Sequence, residues 1–202
     1  MIAIIDYGVG NLFSLSSSLT FLNLENKITN SKEDIIKADR IILPGVGAFA
    51  DAMEKLQQTQ LIDTLKEQLS LGKPLLGICL GMQLLFEKSY EYGEHTGLNL
   101  IGGTVCPLAN DLKKGFKIPH IGWNSLILKK EDPILKYIQA GDFVYYVHSY
   151  YAKNCADATI AVSEYDIEIT AIVKQGVVYG MQFHPEKSGR VGLNLLKAFA
   201  EI

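Results

Sequence analysis

Positive charge is in short supply in this 202-residue chain: 19 Lys and Arg stand against 22 Asp and Glu, for a formal net charge of −3. Without a basic surplus to displace counterions from phosphates, nucleic acid is not an expected partner. Cysteine is scarce as well. Cys79, Cys106 and Cys155 are odd in number, far apart, and form no C-x-x-C pair. Neither a disulfide framework nor a zinc site is expected, and no metal or other cofactor is required. Long apolar runs are missing: the longest, Pro74 to Phe86, is interrupted by Gly77, Gly81 and Gln83 and falls short of the ~20 residues that span a bilayer. Met1 leads directly into Ile2-Ala3-Ile4-Ile5, with no basic stretch or cleavage site of a secretory signal, which points to the cytoplasm. No repeat, low-complexity tract or linker breaks the chain, so one domain over residues 1–202 is the expected organisation.

What is present fits a soluble globular protein, with 48% hydrophobic and 20% charged residues. The first half alternates strand and helix. Strands are predicted at Met1 to Asp6, Lys27 to Thr29, Arg40 to Leu43 and Lys73 to Ile78. Helices are predicted at Leu12 to Leu22, Lys32 to Ala38, Asp51 to Leu71 (one or two pieces) and from Leu80 to Glu87. That alternation argues for an α/β fold with a largely parallel central sheet flanked by helices. The second half adds strands of antiparallel character: Ile101 to Leu108, Ile121 to Lys129, Asp142 to Tyr151, Thr159 to Ser163, Ile167 to Lys174 and Val177 to Phe183. Gln175-Gly176 reads as a hairpin turn, Pro133 to Ile138 as a helix, and Arg190 to Ala200 as the closing helix. In parallel sheets ligands bind beyond the carboxyl ends of strands, where the glycine-containing turns after Asp6, Leu43 and Ile78 fall.

Three stretches carry chemistry. Gly77-Ile78-Cys79-Leu80-Gly81 has the form of a nucleophile elbow with cysteine in place of serine. Its central residue would sit exposed on a tight strand-to-helix turn, with the helix dipole favouring a thiolate. A lone cysteine between packing glycines is the plainer alternative. His184-Pro185-Glu186 follows another apolar strand, and a histidine base oriented by a carboxylate is what a cysteine nucleophile needs. Pro44-Gly45-Val46-Gly47 lets backbone approach a substrate closely, and its N–H groups could stabilise an oxyanion. It fits neither phosphate-binding glycine pattern, and an ordinary turn is the competing reading.

In this order and spacing the three stretches resemble the class I (triad-type) glutamine amidotransferases. Within that class the chain is similar to the glutaminase subunits of imidazole glycerol phosphate synthase, through Asp6 to Asn11, Pro44 to Phe49, Gly77 to Phe86, Pro119 to Asn124, Tyr146 to Tyr150 and His184 to Ser188. The resemblance runs from end to end and implies a flavodoxin-like fold. It implies L-glutamine as substrate, Cys79, His184 and Glu186 as a catalytic triad, and the Gly45–Val46 peptide as oxyanion donor after a rearrangement. It assigns Gly47, Gln83, Glu91, Ser149 and Tyr150 to glutamine binding. Asn11, Pro119, Trp123, Tyr146, His148 and Lys187 match positions near a partner interface or ammonia passage. The implied partner is a β/α-barrel cyclase subunit, forming a heterodimer that channels ammonia into histidine biosynthesis. On residue type alone Glu91 also reads as a solvated loop glutamate, Trp123 as a core tryptophan, and His95 and His120 as structural or surface histidines. A paralogous subunit feeding another synthase, such as one amidinating a surface sugar, a non-catalytic regulatory domain, and a cysteine peptidase or esterase are the alternatives.

Overall fold

A computed structural model describes all residues, 1–202. Its first half is β1 (Ile2–Ile5), α1 (Leu12–Phe21), β2 (Asn26–Thr29), α2 (Lys32–Lys37), β3 (Arg40–Leu43), α3 (Phe49–Gln58), α4 (Ile62–Ser70), β4 (Leu75–Ile78) and α5 (Leu80–Leu84). Then come β5 (Phe86–Ser89), β6 (His95–Thr96), β7 (Ile101–Pro107), β8 (His120–Ser125), β9 (Ile127–Leu128), β10 (Phe143–His148), β11 (Tyr150–Lys153), β12 (Thr159–Tyr165), β13 (Ile167–Gln175), β14 (Val178–Met181) and α6 (Gly189–Glu201).

The main sheet runs β2-β1-β3-β4-β14-β13-β12-β9. Strands β2 to β14 in that order are parallel, and the last three pair antiparallel. Strands β1, β4 and β14 are buried at every residue, as expected of a parallel sheet covered on both faces. Period-two alternation divides the core. Ile4, Ile42 and Leu76 pack with Leu15 and Leu19 of α1 and Leu195, Leu196 and Phe199 of α6. Their neighbours Ile5, Ile41 and Leu75 pack on the opposite face with Phe49, Met53 and Leu56 of α3 and Leu65 of α4. Buried positions in α3 (Phe49, Ala52, Met53, Leu56) and α6 (Gly192, Leu195, Leu196, Phe199) follow the i, i+3, i+4, i+7 stripe of an amphipathic helix. No helix is long and apolar enough to cross a membrane.

Two smaller sheets stand beside the main one. One runs β11-β7-β5-β6; the other is the two-stranded ribbon β10-β8. Here the structure departs from the sequence reading. The helix after Cys79 ends at Leu84 rather than Glu87. Its terminal carbonyls, those of Leu84 and Leu85, accept the N–H groups of Leu98 and Leu100 at 2.8 Å, and the chain turns into β5. The apparent strand Ile121 to Lys129 is two strands in different sheets, β8 and β9. The apparent strand Asp142 to Tyr151 likewise breaks at Ser149: β10 pairs with β8, and β11 with β7. Pro133 to Ile138 forms only a single 3-10 turn, Pro133–Leu135, capped by the Asp132 carboxylate, which accepts from Ile134 N–H.

Candidate active site

Cys79 is the residue on which the elbow turns. Its φ of 54° and ψ of −112° lie outside the regions L-residues ordinarily occupy, and its environment holds it there. Its N–H donates to Met181 O at 2.7 Å, extending the β4–β14 register, while its carbonyl accepts the first helical bond from Gln83 N–H. The turn is closed by near-contact of backbone. A methyl on Gly77 would lie 2.7 Å from Gly81 O, and a methyl on Gly81 would overlap the Leu43 carbonyl oxygen. The elbow is therefore wedged against the end of β3, from which residues 44–47 emerge.

His184 is carried to the same place by β14. Its Nδ1 lies 2.8 Å from Glu186 Oε1, leaving Nε2 as the ring nitrogen available to Cys79. Burial alone would lower the basicity of His184, but Cys79 and Glu186 together outweigh it and raise the imidazole to about 10. Glu186 also accepts from Asn11 Nδ2 at 3.4 Å, and its other oxygen is buried without a partner. Asn11 occupies the N-cap position of α1 yet makes no side-chain cap bond, since its carboxamide is turned to Glu186.

Cys79 and His184 open into a cleft of about 600 Å³ that is also lined by Val46, Gly47, Gln83, Glu91, Ser149, Tyr150, Pro119, His148 and Lys187. All five residues assigned by resemblance to glutamine binding thus share one cavity with the cysteine. Gly45 is not among its lining residues: a methyl there would lie 2.6 Å from Gly81 N and 2.9 Å from the Tyr7 hydroxyl. That hydroxyl donates to Pro44 O at 2.6 Å and fixes the start of the segment. Val46 is 40% exposed at the cleft, and Gly47 has φ +101°, a left-handed conformation suited to glycine.

Glu91 is buried, 9% exposed, rather than solvated. Its Oε2 accepts Phe49 N–H at 2.6 Å at the start of α3. Burial raises its carboxyl above the ordinary range; the Phe49 bond and, more weakly, His95 oppose that rise. A carboxylate so placed favours a ligand that brings its own positive charge.

The Tyr150 carbonyl ties together two of the residues that line the cleft, Gln83 and His148. It accepts from Gln83 Nε2 at 3.0 Å and lies 2.8 Å from His148 Nδ1. A carbonyl can only accept, so His148 Nδ1 bears the hydrogen and its Nε2 receives one from His120 Nδ1 at 3.0 Å. Burial keeps both rings neutral, pushing His120 down to about 4 and His148 to about 3. His120 is a buried structural residue, stacked between Tyr146 and Tyr165.

Among the residues assigned to the interface, Trp123 is 55% exposed on β8 and is not a core residue. Tyr146 is fully buried, its hydroxyl paired with Ser163 Oγ at 2.8 Å, so it does not stand on the exposed face of the ribbon. Strand alternation places its neighbour Tyr145 beside Trp123 instead, in edge-to-face contact at 5.9 Å. Tyr145 also reaches the triad through its backbone: its carbonyl accepts His184 N–H at 3.0 Å, and its N–H donates to Ser188 Oγ at 2.9 Å. Tyr145, Tyr7 and Gln182 were not singled out from sequence. A polar side chain at the end of the apolar strand Val178–Met181 is the signal that would have found Gln182. No group of three or more His, Cys, Asp or Glu residues converges to hold a metal ion.

Comparison with known proteins agrees with this arrangement. The imidazole glycerol phosphate synthase subunit HisH of Caldanaerobacter subterraneus subsp. tengcongensis is 51% identical over 100% of this chain and 98% of its own length. The subunit of that name from Listeria monocytogenes serotype 4b is also 51% identical, over 100% of this chain and 96% of its own. Among solved structures, PurLQS from Thermotoga maritima superposes with a TM-score of 0.77 at 19% identity, covering 99% of this chain and 97% of that one. At that identity the likeness speaks for the fold alone. The family model described as glutamine amidotransferase class-I matches residues 3–201, and the chain belongs to that family.

Proposed function

We propose that this protein is the glutaminase subunit of an imidazole glycerol phosphate synthase, releasing ammonia from L-glutamine for a β/α-barrel cyclase subunit of the histidine pathway. The observation that carries the chemistry is that Cys79 and His184, the latter paired with Glu186, line the same cleft as the buried Glu91. The relatives that share half of its residues over the full chain support the choice of synthase.

In this reading the glutamine α-ammonium pairs with Glu91, and the carboxamide reaches Cys79. The Cys79 sulfur, its proton already held by His184, attacks the carboxamide carbon. The tetrahedral oxyanion is met by N–H of the Gly45–Val46 segment, after that segment swings from its packing against Gly81. Collapse breaks the C–N bond, His184 protonates the leaving nitrogen, and ammonia departs from a Cys79 thioester. Water, deprotonated by His184, cleaves the thioester to glutamate and restores the thiol. Glu186 keeps the imidazole oriented throughout. The 202 residues act as one glutaminase unit, and the exposed Trp123–Tyr145 face receives the cyclase, with aromatic side chains as anchors.

Glutaminase turnover with and without a loaded β/α-barrel cyclase tests the proposal. Turnover is expected to be slow for the free protein and faster in the complex, and equal rates would overturn the coupling. Cys79→Ala should abolish glutamine use while external ammonia still supports synthesis by the complex. Surviving glutaminase activity in that variant would remove Cys79 from the mechanism.

A further inference from the structure

Gln182 lies between β14 and the triad, fully buried, and no step of the chemistry above uses it. Its side chain belongs to a chain of amides whose orientation is set at one end. The Tyr150 carbonyl accepts from Gln83 Nε2 at 3.0 Å, so the nitrogen rather than the oxygen of Gln83 faces it. The same Nε2 gives its second hydrogen to Gln182 Oε1, also at 3.0 Å. Reversing the Gln182 amide would set nitrogen against nitrogen, with no acceptor between them. Gln182 is thereby held with its oxygen toward Gln83 and its Nε2 toward the Cys79 sulfur, 3.9 Å away.

We propose that Gln182 is a hydrogen-bond donor to the Cys79 sulfur, aimed by Gln83 and Tyr150, and that it stabilises the thiolate over the thiol. A donor aimed at a sulfur interacts more strongly with its ionised form than with its neutral form. Because the amide is buried and bonded at its other end, little reorganisation is needed as charge develops. The arrangement also links substrate to nucleophile: with both Gln83 Nε2 hydrogens committed, Gln83 presents only its oxygen to the cleft. Gln182 touches the reacting atom and holds the electrostatic state of Cys79, whereas His184 moves the proton.

The proposal rests on Cys79 being the nucleophile, and its test reads the thiol without glutamine turnover. The full chain is alkylated with iodoacetamide across a pH series, and the Cys79 peptide is followed by mass spectrometry, which separates it from Cys106 and Cys155. Gln182→Met is expected to slow Cys79 alkylation about tenfold near neutral pH and to match the unmodified protein at high pH, where the sulfur is ionised in both. An unchanged profile would overturn the donor role. So would the same loss at every pH, which marks a displaced sulfur. If Gln182→Met does not fold by circular dichroism, Gln182→Glu, equal in shape but with the donor replaced by an acceptor, is read in its place. It should slow alkylation near neutral pH by at least as much, and an unaltered rate would refute the proposal. A protein that shows this pH dependence but never hydrolyses glutamine would fail the functional reading and leave the donor intact.

Discussion

In the proposed reading Glu91 performs two tasks, and paired substitutions separate them. Its Oε2 accepts the Phe49 N–H that opens α3, and its buried carboxylate faces the cleft. Glu91→Gln keeps an oxygen for Phe49 and removes only the charge. A hydrogen bond to a charged group contributes ~1.5–3 kcal/mol, so loss of the contact to the glutamine α-ammonium should raise KM roughly 10- to 150-fold, with kcat nearly unchanged. The same variant should not destabilise the free protein. The folded state holds the Glu91 carboxyl above its ordinary range, so it binds that proton at pH values where the unfolded chain has lost it. Ionised Glu91 therefore costs stability, increasingly as pH rises through that window. The neutral isostere removes that cost, and its Tm at neutral pH should be equal or higher. Glu91→Ala loses the acceptor as well, at ~1 kcal/mol for a helix-start bond, or about 2–4 °C in Tm for a chain of this length. The assay is glutaminase kinetics with L-glutamine and with its deamino analogue glutaramate, beside thermal melts. With glutaramate, which has no α-ammonium, the Glu91→Gln variant should equal the parent. A KM for glutamine within about threefold of the parent, or an equal loss on both substrates, would sink the pairing of Glu91 with the ammonium.

Other outcomes follow from the packing. Gly81→Ala places a methyl on the Leu43 carbonyl oxygen; overpacking of that kind costs about 3 kcal/mol, a fall of about 6–12 °C by calorimetry. The buried pair His120 and His148 should make the fold acid-sensitive. Both rings titrate below their ordinary value of 6.5, at about 4 and about 3, so their contribution is complete above the ordinary value and is lost as pH falls beneath it. The decline of Tm below neutral pH should be shallower in His148→Gln, and an identical decline would show that other groups govern acid unfolding. Trp123→Ala, at a half-exposed position, should leave Tm within about 2 °C of the parent while weakening association with the cyclase in titration calorimetry.

Much of the architecture was legible because local and global signals coincide. The runs Ile2–Ile5, Ile41–Leu43 and Leu75–Ile78 carry no charged or polar side chain and end in glycine- or proline-containing turns, so strand, burial and strand-end loop all follow from one pattern. The elbow and the His184 loop were visible for the same reason. The failures share a different cause. From Phe143 to Tyr151 every residue but His148 and Ser149 favours a strand, and no glycine or proline marks the break. The break there is imposed by pairing with two different strands, β8 and β7, which are remote in sequence. That break places Ser149 and Tyr150 on the cleft wall. That Tyr145 rather than Tyr146 stands beside Trp123 has the same origin: in a run of consecutive aromatics only the register decides which side chain turns to which face. Phe86 and Glu87 looked helical because they directly follow the apolar run from Leu80, and only capture of the Leu84 and Leu85 carbonyls by residues 98–100 ends the helix.

The β8–β10 ribbon is only two strands wide, and isolated two-stranded ribbons have little rigidity of their own. It bears Trp123 and Tyr145 outside and His120 and His148 inside, and the peptide of Tyr145 is bolted to His184 and Ser188. Mechanically this is a leaf spring clamped to the catalytic loop. A load applied to its outer face has a backbone route to His184, through the Tyr145 carbonyl that accepts the His184 N–H. In the proposed mechanism, a protein seated on this ribbon would therefore be pressing on the trigger itself.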